Sequence, residues 1–121
     1  MWKKQCKKDF YLNGNIDLPI KAGGVVLYKI EKDQVYLLLI QKNGEYEDLG
    51  GETENFDETI LDVVSREANE ESNNLLNKDS IKERLSLSNC IYNLNSKYVV
   101  YLVKANEYES KLTTDDFGDK E

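Results

Sequence analysis

The sequence predicts a mixed α/β (α+β) layer fold, a sheet with one central helix packed on it. Three observations predict it. Two largely apolar stretches, 21–30 and 34–42, have strand length and flank a Lys32-Asp33 turn. One long segment, 55–72, repeats its apolar residues at helical spacing. Two later stretches, 90–94 and 97–104, alternate and are rich in Tyr, Val and Ile. Strands, then a helix, then strands, within 121 residues, make one domain over 1–121 with one core.

The elements follow in order. Residues 1–18 form an N-terminal arm with Lys3, Lys4, Lys7 and Lys8 clustered in it. A solvated arm is the plain reading, and an arm that contacts anions is the alternative. Asn13-Gly14-Asn15 signals a turn, and Pro19 makes Leu18 extended. Gly23 and Gly24 inside the first strand mark a bulge or a close backbone approach. The second strand is apolar enough to be central, and it pairs with the first as a hairpin. Asn43-Gly44 turns the chain, and Tyr46 to Leu49 extends into Gly50-Gly51.

The helix then runs from Asn55 to about Ser72. Asn55 or Asp57 can cap it, and Asn55-x-x-Glu58 resembles a capping box. Asn73 and Asn74 can end it, because asparagine tolerates the left-handed conformation. Residues 75–87 hold a loop and a short helix. The last two strands form a hairpin around Asn95-Ser96. Thr113 to Glu121 is polar and acidic without periodicity, and reads as a solvated tail. Its acids do not have the alternate spacing of an EF-hand loop.

Composition narrows the chemistry. There is no histidine, which removes imidazole bases, His-based triads and histidine zinc sites. Cys6 and Cys90 are too few for a disulfide framework or a metal cluster. The net charge of −7 argues against tight nonspecific binding to a nucleic-acid backbone. No apolar run approaches a membrane span, and no apolar stretch follows the basic N-terminus. A cytoplasmic or otherwise intracellular protein with no membrane partner is the expectation. If the chain is an enzyme, carboxylates and a bound cation must do the chemistry.

The helix itself points the same way. At about 100° per residue, Ile60, Leu61, Val64 and Ala68 share one stripe, which must face the sheet. Glu71 lies nearly on the axis of that stripe, Glu67 is beside it, and Glu70 is at its edge. Like charges at i and i+4, near a helix C-terminus and turned toward the protein body, are costly. A divalent cation bound by oxygen ligands removes that cost, and magnesium or manganese suits such a site. Arg66 reaches Glu70 at i+4 and Glu58 two turns back. A salt-bridged surface helix is the competing reading.

Gly51, Glu58, Arg66-Glu67-Ala68-Asn69-Glu70-Glu71 and Asn73 together resemble the Nudix box: Gly, five residues, Glu, seven residues, then Arg-Glu-aliphatic-x-Glu-Glu-x-Gly-aliphatic. The resemblance covers about 21–103. Two features depart from it. Six residues separate Gly51 from Glu58, and Asn73 and Asn74 stand where the box has glycine and an aliphatic residue. The family's usual second helix, after the last strand, is not evident. The face it would cover falls to the N-terminal segment or to a partner, a homodimer being one such arrangement; otherwise the domain is a shortened one.

The resemblance implies Mg2+-dependent hydrolysis (Mn2+ as substitute) of the pyrophosphate linkage in a nucleoside diphosphate derivative. It makes Glu67, Glu70 and Glu71 metal ligands, with a backbone carbonyl at Gly50 or Gly51. It makes Arg66 the residue that orients them, with Glu58 as its structural ion-pair partner. The general base is Glu67, or a glutamate after the last strand, Glu107 or Glu121. A small nucleotide is the expected substrate, with capped RNA disfavoured by the acidic balance. The alternatives are a Nudix-fold binding or regulatory module without turnover and a plain interaction domain. Tyr92, Tyr98 and Tyr101 are candidates for base stacking, though strand packing is the commoner role.

Overall fold

The structure, a computed structural model, describes residues 10–54 and 56–120. In chain order the elements are β1 (Phe10–Tyr11), β2 (Pro19–Ile20), β3 (Ala22–Glu31), β4 (Gln34–Leu38), β5 (Ile40–Lys42), β6 (Glu45–Glu47), β7 (Leu49–Glu52), α1 (Ile60–Glu71), α2 (Lys78–Leu85), β8 (Asn89–Asn93), β9 (Tyr98–Lys104), α3 (Thr114–Phe117) and β10 (Asp119–Lys120). The lysine arm and Cys6 lie outside the described residues.

β3 organises the fold. Its second half pairs antiparallel with β4, and its first half, Ala22 to Val25, pairs antiparallel with β7. On its other side it runs parallel to β9, which closes a hairpin with β8. The strand order is β4-β3-β9-β8 with β7 beside β3. The mixed sheet carries α1 on one face, as expected. Two smaller sheets, β10-β5-β6 and β1-β2, flank it. Both expected hairpins form. Lys32 and Asp33 take φ of 49° and 64°, the left-handed pair that a tight two-residue turn needs.

The pleat decides which side chains meet α1. Val25, Leu27, Val99, Tyr101 and Val103 share one face and join Val64, Ala68, Ile81 and Leu85 in a single core. The opposite face carries Ile30, Val35, Leu37 and Ile91, which are 57%, 62%, 56% and 63% exposed. After β9 the described chain forms a 3-10 turn at Glu109–Lys111, the four-residue α3 and the short β10, so among the described residues no full C-terminal helix covers that face.

Three sequence expectations are corrected. The apolar stretch 34–42 is not one central strand. It breaks at Leu39, whose carbonyl accepts from Thr114 Oγ1 at 2.7 Å, and its first part, β4, is a sheet edge. The polar tail is not a solvated tail over 113–120. Phe117 is fully buried, Asn73 Nδ2 donates to its carbonyl at 2.9 Å, and β10 pairs with β5. The helix starts at Ile60 rather than 55. Thr59 is its N-cap: Thr59 Oγ1 accepts from the Asp62 amide at 3.2 Å, and the Asp62 carboxylate accepts from the Thr59 amide at 3.0 Å. Asp57 is not the cap because its carboxylate is used elsewhere, and Asn55 lies outside the described residues. The helix ends as expected, with Asn73 and Asn74 at φ of 55° and 67°.

Candidate active site

Two rungs of glycine pairs build the site. Gly23 pairs with Gly51 and Gly24 with Gly50 across β3 and β7. Neighbouring rungs point to opposite faces of the sheet. The Gly51 rung faces α1. A Cβ on Gly51 would lie 2.5 Å from the carboxyl carbon of Glu67, so that carboxylate rests directly on the glycine backbone. The Gly50 rung faces away. There Tyr98 Oη donates to Asp48 Oδ2 at 2.6 Å, directly over the two glycines, and any Cβ on Gly24 or Gly50 would collide with this pair. The Gly23-Gly24 signal is therefore a close approach in regular register.

Glu71 reaches the same strand. Its Oε1 accepts from the Gly50 amide at 2.8 Å. Burial raises the Glu71 carboxyl above its ordinary range, and the Gly50 hydrogen bond opposes that shift. Burial also raises Glu67, against the pull of Arg66. So α1 does place two glutamates, one turn apart, against β7, and both are desolvated there. Glu70 differs: its side chain is 56% exposed.

Arg66 joins the parts. Its side chain is only 9% exposed. Nε donates to Asp57 Oδ1 at 3.2 Å and Nη2 to Asp57 Oδ2 at 3.0 Å, a two-toothed pair. Nη2 also donates to the Glu52 carbonyl at 3.1 Å, and Nη1 to Glu67 at 2.8 Å and Glu70 at 3.3 Å. Burial alone would lower its pKa, but Asp57 and Glu67 outweigh that and hold it protonated. The Phe56 ring lies 5.3 Å from the guanidinium carbon.

The partner of Arg66 is thus Asp57, which is 3% exposed, and not Glu58, which is exposed. The spacing in the sequence agrees. Five residues separate Gly51 from Asp57, so the extra residue falls between that acid and Arg66, not in the loop after Gly51. Asp57 also accepts from the Glu54 amide at 2.8 Å, which closes the loop on itself. A shorter acid so placed, with one more residue before the arginine, occupies the position expected of Glu58.

The structure brings Gly50, Gly51, Arg66, Glu67, Glu70 and Glu71 together. It does not bring Glu107 to them. Glu107 follows β9, whose last residue is paired with Tyr28, four residues along β3 from Gly24 and so roughly 13 Å away. Glu121 lies outside the described residues. Among the tyrosines, Tyr92 donates to the Pro19 carbonyl, Tyr98 to Asp48, and Tyr101 is buried in the core, so all three pack with their strands. Sequence reasoning missed Asp48 and Phe56. An acid directly before Leu49-Gly50-Gly51 was the only signal for the first.

The donors fit a hard divalent cation in kind, since all are carboxylate or carbonyl oxygens. As the side chains stand, however, no group of three acids among the described residues converges to hold a metal. Glu67 and Glu70 turn onto the same Nη1 of Arg66, and Glu71 onto the Gly50 amide. A cation would compete with Arg66 for those oxygens.

No family model matches the sequence, and no curated protein matches it. Among solved structures, an Ap4A hydrolase from C. elegans, a Nudix enzyme, superposes with a TM-score of 0.50 at 22% identity, covering 73% of this chain and 67% of that one. That likeness is one of fold: the mixed sheet with its helix is Nudix-like.

Proposed function

We propose that the chain hydrolyses the pyrophosphate linkage of a nucleoside diphosphate derivative in a magnesium-dependent reaction. One observation carries the reading. Glu67 and Glu71, one turn apart on α1, are partly desolvated against β7: Glu67 rests on Gly51, where only glycine leaves room, and Glu71 accepts from the Gly50 amide. Burying two acids there without a use would destabilise the fold and gain nothing. The spacing Arg66-Glu67-x-x-Glu70-Glu71, which resembles that family's box, on a Nudix-like fold supports the reading.

Glu67, Glu70, Glu71 and a Gly50 or Gly51 carbonyl would hold magnesium, with manganese as substitute. When bound, the cation supplies charge neutralisation for the diphosphate and a lowered pKa for an attacking water. The chain's own residues do the rest. Arg66, fixed by Asp57 on one side, holds Glu67 with the other. Glu67, carrying a proton more readily than an ordinary carboxylate, is the candidate to accept the proton of the attacking water. Gly51 keeps the strand backbone open to Glu67, and the Gly50 amide holds Glu71. The structural neighbour, as an Ap4A hydrolase, is in line with a dinucleotide or nucleotide substrate.

A second reading has one observation in its favour. Glu67 and Glu70 are already engaged by Arg66, as suits a binding module without turnover. A phosphate-release assay over nucleoside diphosphate derivatives, with and without magnesium and with Glu71→Gln, separates the two. Turnover that needs both magnesium and Glu71 is expected, and the variant should lose at least about 100-fold in kcat. A folded protein that turns over none of them supports the module, and turnover unaffected by Glu71→Gln removes this site.

A further inference from the structure

Phe56 is 69% exposed and sits on the segment between β7 and α1. Exposed aromatics on loops are common, but this one is held. Thr53 on one side is 1% exposed and Asp57 on the other 3%. The Asp57 amide donates to the Glu54 carbonyl at 3.1 Å, the Glu54 amide to Asp57 Oδ2 at 2.8 Å, and Asp57 is clamped to Arg66. The ring is therefore presented from a loop fixed at both ends.

Its surroundings are chemical ones. One face of the ring meets the Arg66 guanidinium at 5.3 Å, and the same guanidinium holds Glu67 at 2.8 Å. The ring is thus one side chain away from the carboxylates that would flank a diphosphate. The cation draws on the negative face of the ring and leaves the solvent side free for a flat π-system. The three tyrosines that could have stacked on a base are occupied within their strands. Among the described residues Phe56 is the exposed aromatic in contact with the Arg66 cluster.

We propose that Phe56 is the platform on which the nucleobase of the substrate stacks, with the diphosphate directed past Arg66 toward Glu67 and Glu71. The proposal rests on the reading of this site as a diphosphate site. It makes Phe56 a specificity-determining residue for derivatives that carry a base.

The test is equilibrium binding, with magnesium, of α,β-methylene-ADP and of methylenediphosphonate, which lacks base and sugar. Neither needs turnover. Phe56→Leu should raise the Kd for α,β-methylene-ADP about tenfold, and Phe56→Tyr should keep it within about twofold. The Kd for methylenediphosphonate should not move in either variant, which shows that the Arg66 cluster is intact. In a Trp2→Phe, Phe56→Trp protein the single tryptophan should be quenched by α,β-methylene-ADP and not by methylenediphosphonate. Equal losses for both probes, or no loss for either, would overturn stacking while leaving a diphosphate site. Failure of both probes to bind the unaltered protein would overturn the diphosphate reading and the stacking with it.

Discussion

At the scale of the residue, the buried Asp57–Arg66 pair separates two accounts of the same stretch. Asp57 gives both carboxylate oxygens to Arg66 and is almost fully buried, while its neighbour Glu58 is exposed. Removing one member of a buried ion pair leaves the other uncompensated, at about 3–5 kcal/mol. Arg66 keeps its bonds to Glu67 and Glu70 when Asp57 is lost, so Asp57→Ala should lose less than that, about 2–3 kcal/mol in urea unfolding. Glu58→Gln should stay within about 0.5 kcal/mol, as surface changes do. Comparable losses for both would return the ion pair to Glu58. The residue scale also shows why the arginine was legible and its partner was not. Arg66-Glu67-x-x-Glu70-Glu71 has the spacing of one helical face, which a wheel can display. Asp57 lies on an irregular loop, where no periodicity tells which of two adjacent acids turns inward.

At the scale of the element, the start of α1 is tied to α2 by a surface pair. Lys82 Nζ meets Asp62 Oδ1 at 2.5 Å, and Asp62 also closes the capping box with Thr59. The Lys82 hydrogen bond holds the Asp62 carboxyl below its ordinary value of 3.8, and the Asp62 carboxylate raises Lys82 above 10.5. The signs fix the pH window. A depressed carboxyl contributes stability above its unfolded pKa and loses it as pH falls through the folded one. A raised amine contributes below its unfolded pKa and loses it as pH rises through the folded one. The stability difference between the parent and Lys82→Met should be flat between about pH 5 and 9 and shrink below about pH 4. A difference that persists unchanged at pH 2 would show that Lys82 acts through its methylenes and not its charge. Asp57 and Asn55 are both good capping residues, which is why propensity alone points to them. Thr59-x-x-Asp62 is the same signal further along the chain, and packing, not propensity, chose between them. Strand positions fared better: both hairpins were legible because turn residues bracket alternating runs. The place of β4 in the sheet was not, since an edge strand with Val35 and Leu37 exposed looks, residue by residue, like a buried one.

At the scale of the whole molecule, the core is closed by a segment whose composition hides it. Residues 113–120 hold one large apolar side chain, Phe117, and its burial is complete. A single aromatic in an acidic stretch gives no period, so the segment reads as tail. Its structure comes from contacts made at a distance in sequence. The Thr113–Asp116 capping box starts α3, Thr114 bonds Leu39 where the apolar stretch 34–42 breaks, and Asn73 bonds the Phe117 carbonyl just past the end of α1. Thus the residues that end the site helix and those that divert β5 from β4 both depend on the last described turn. Truncating a buried Phe to Ala removes its transfer energy and leaves a cavity, at about 3–5 kcal/mol. Phe117→Ala should lose that much in urea unfolding. A solvated tail would give a change within about 0.5 kcal/mol. The same variant should leave the Asp57→Ala loss unchanged when the two are combined, because Arg66, midway along α1, and Asn73 share no partner and stand about two helical turns, roughly 10 Å, apart. Non-additivity of more than about 1 kcal/mol would instead mean that α1 transmits strain from its C-terminal asparagines back to Arg66.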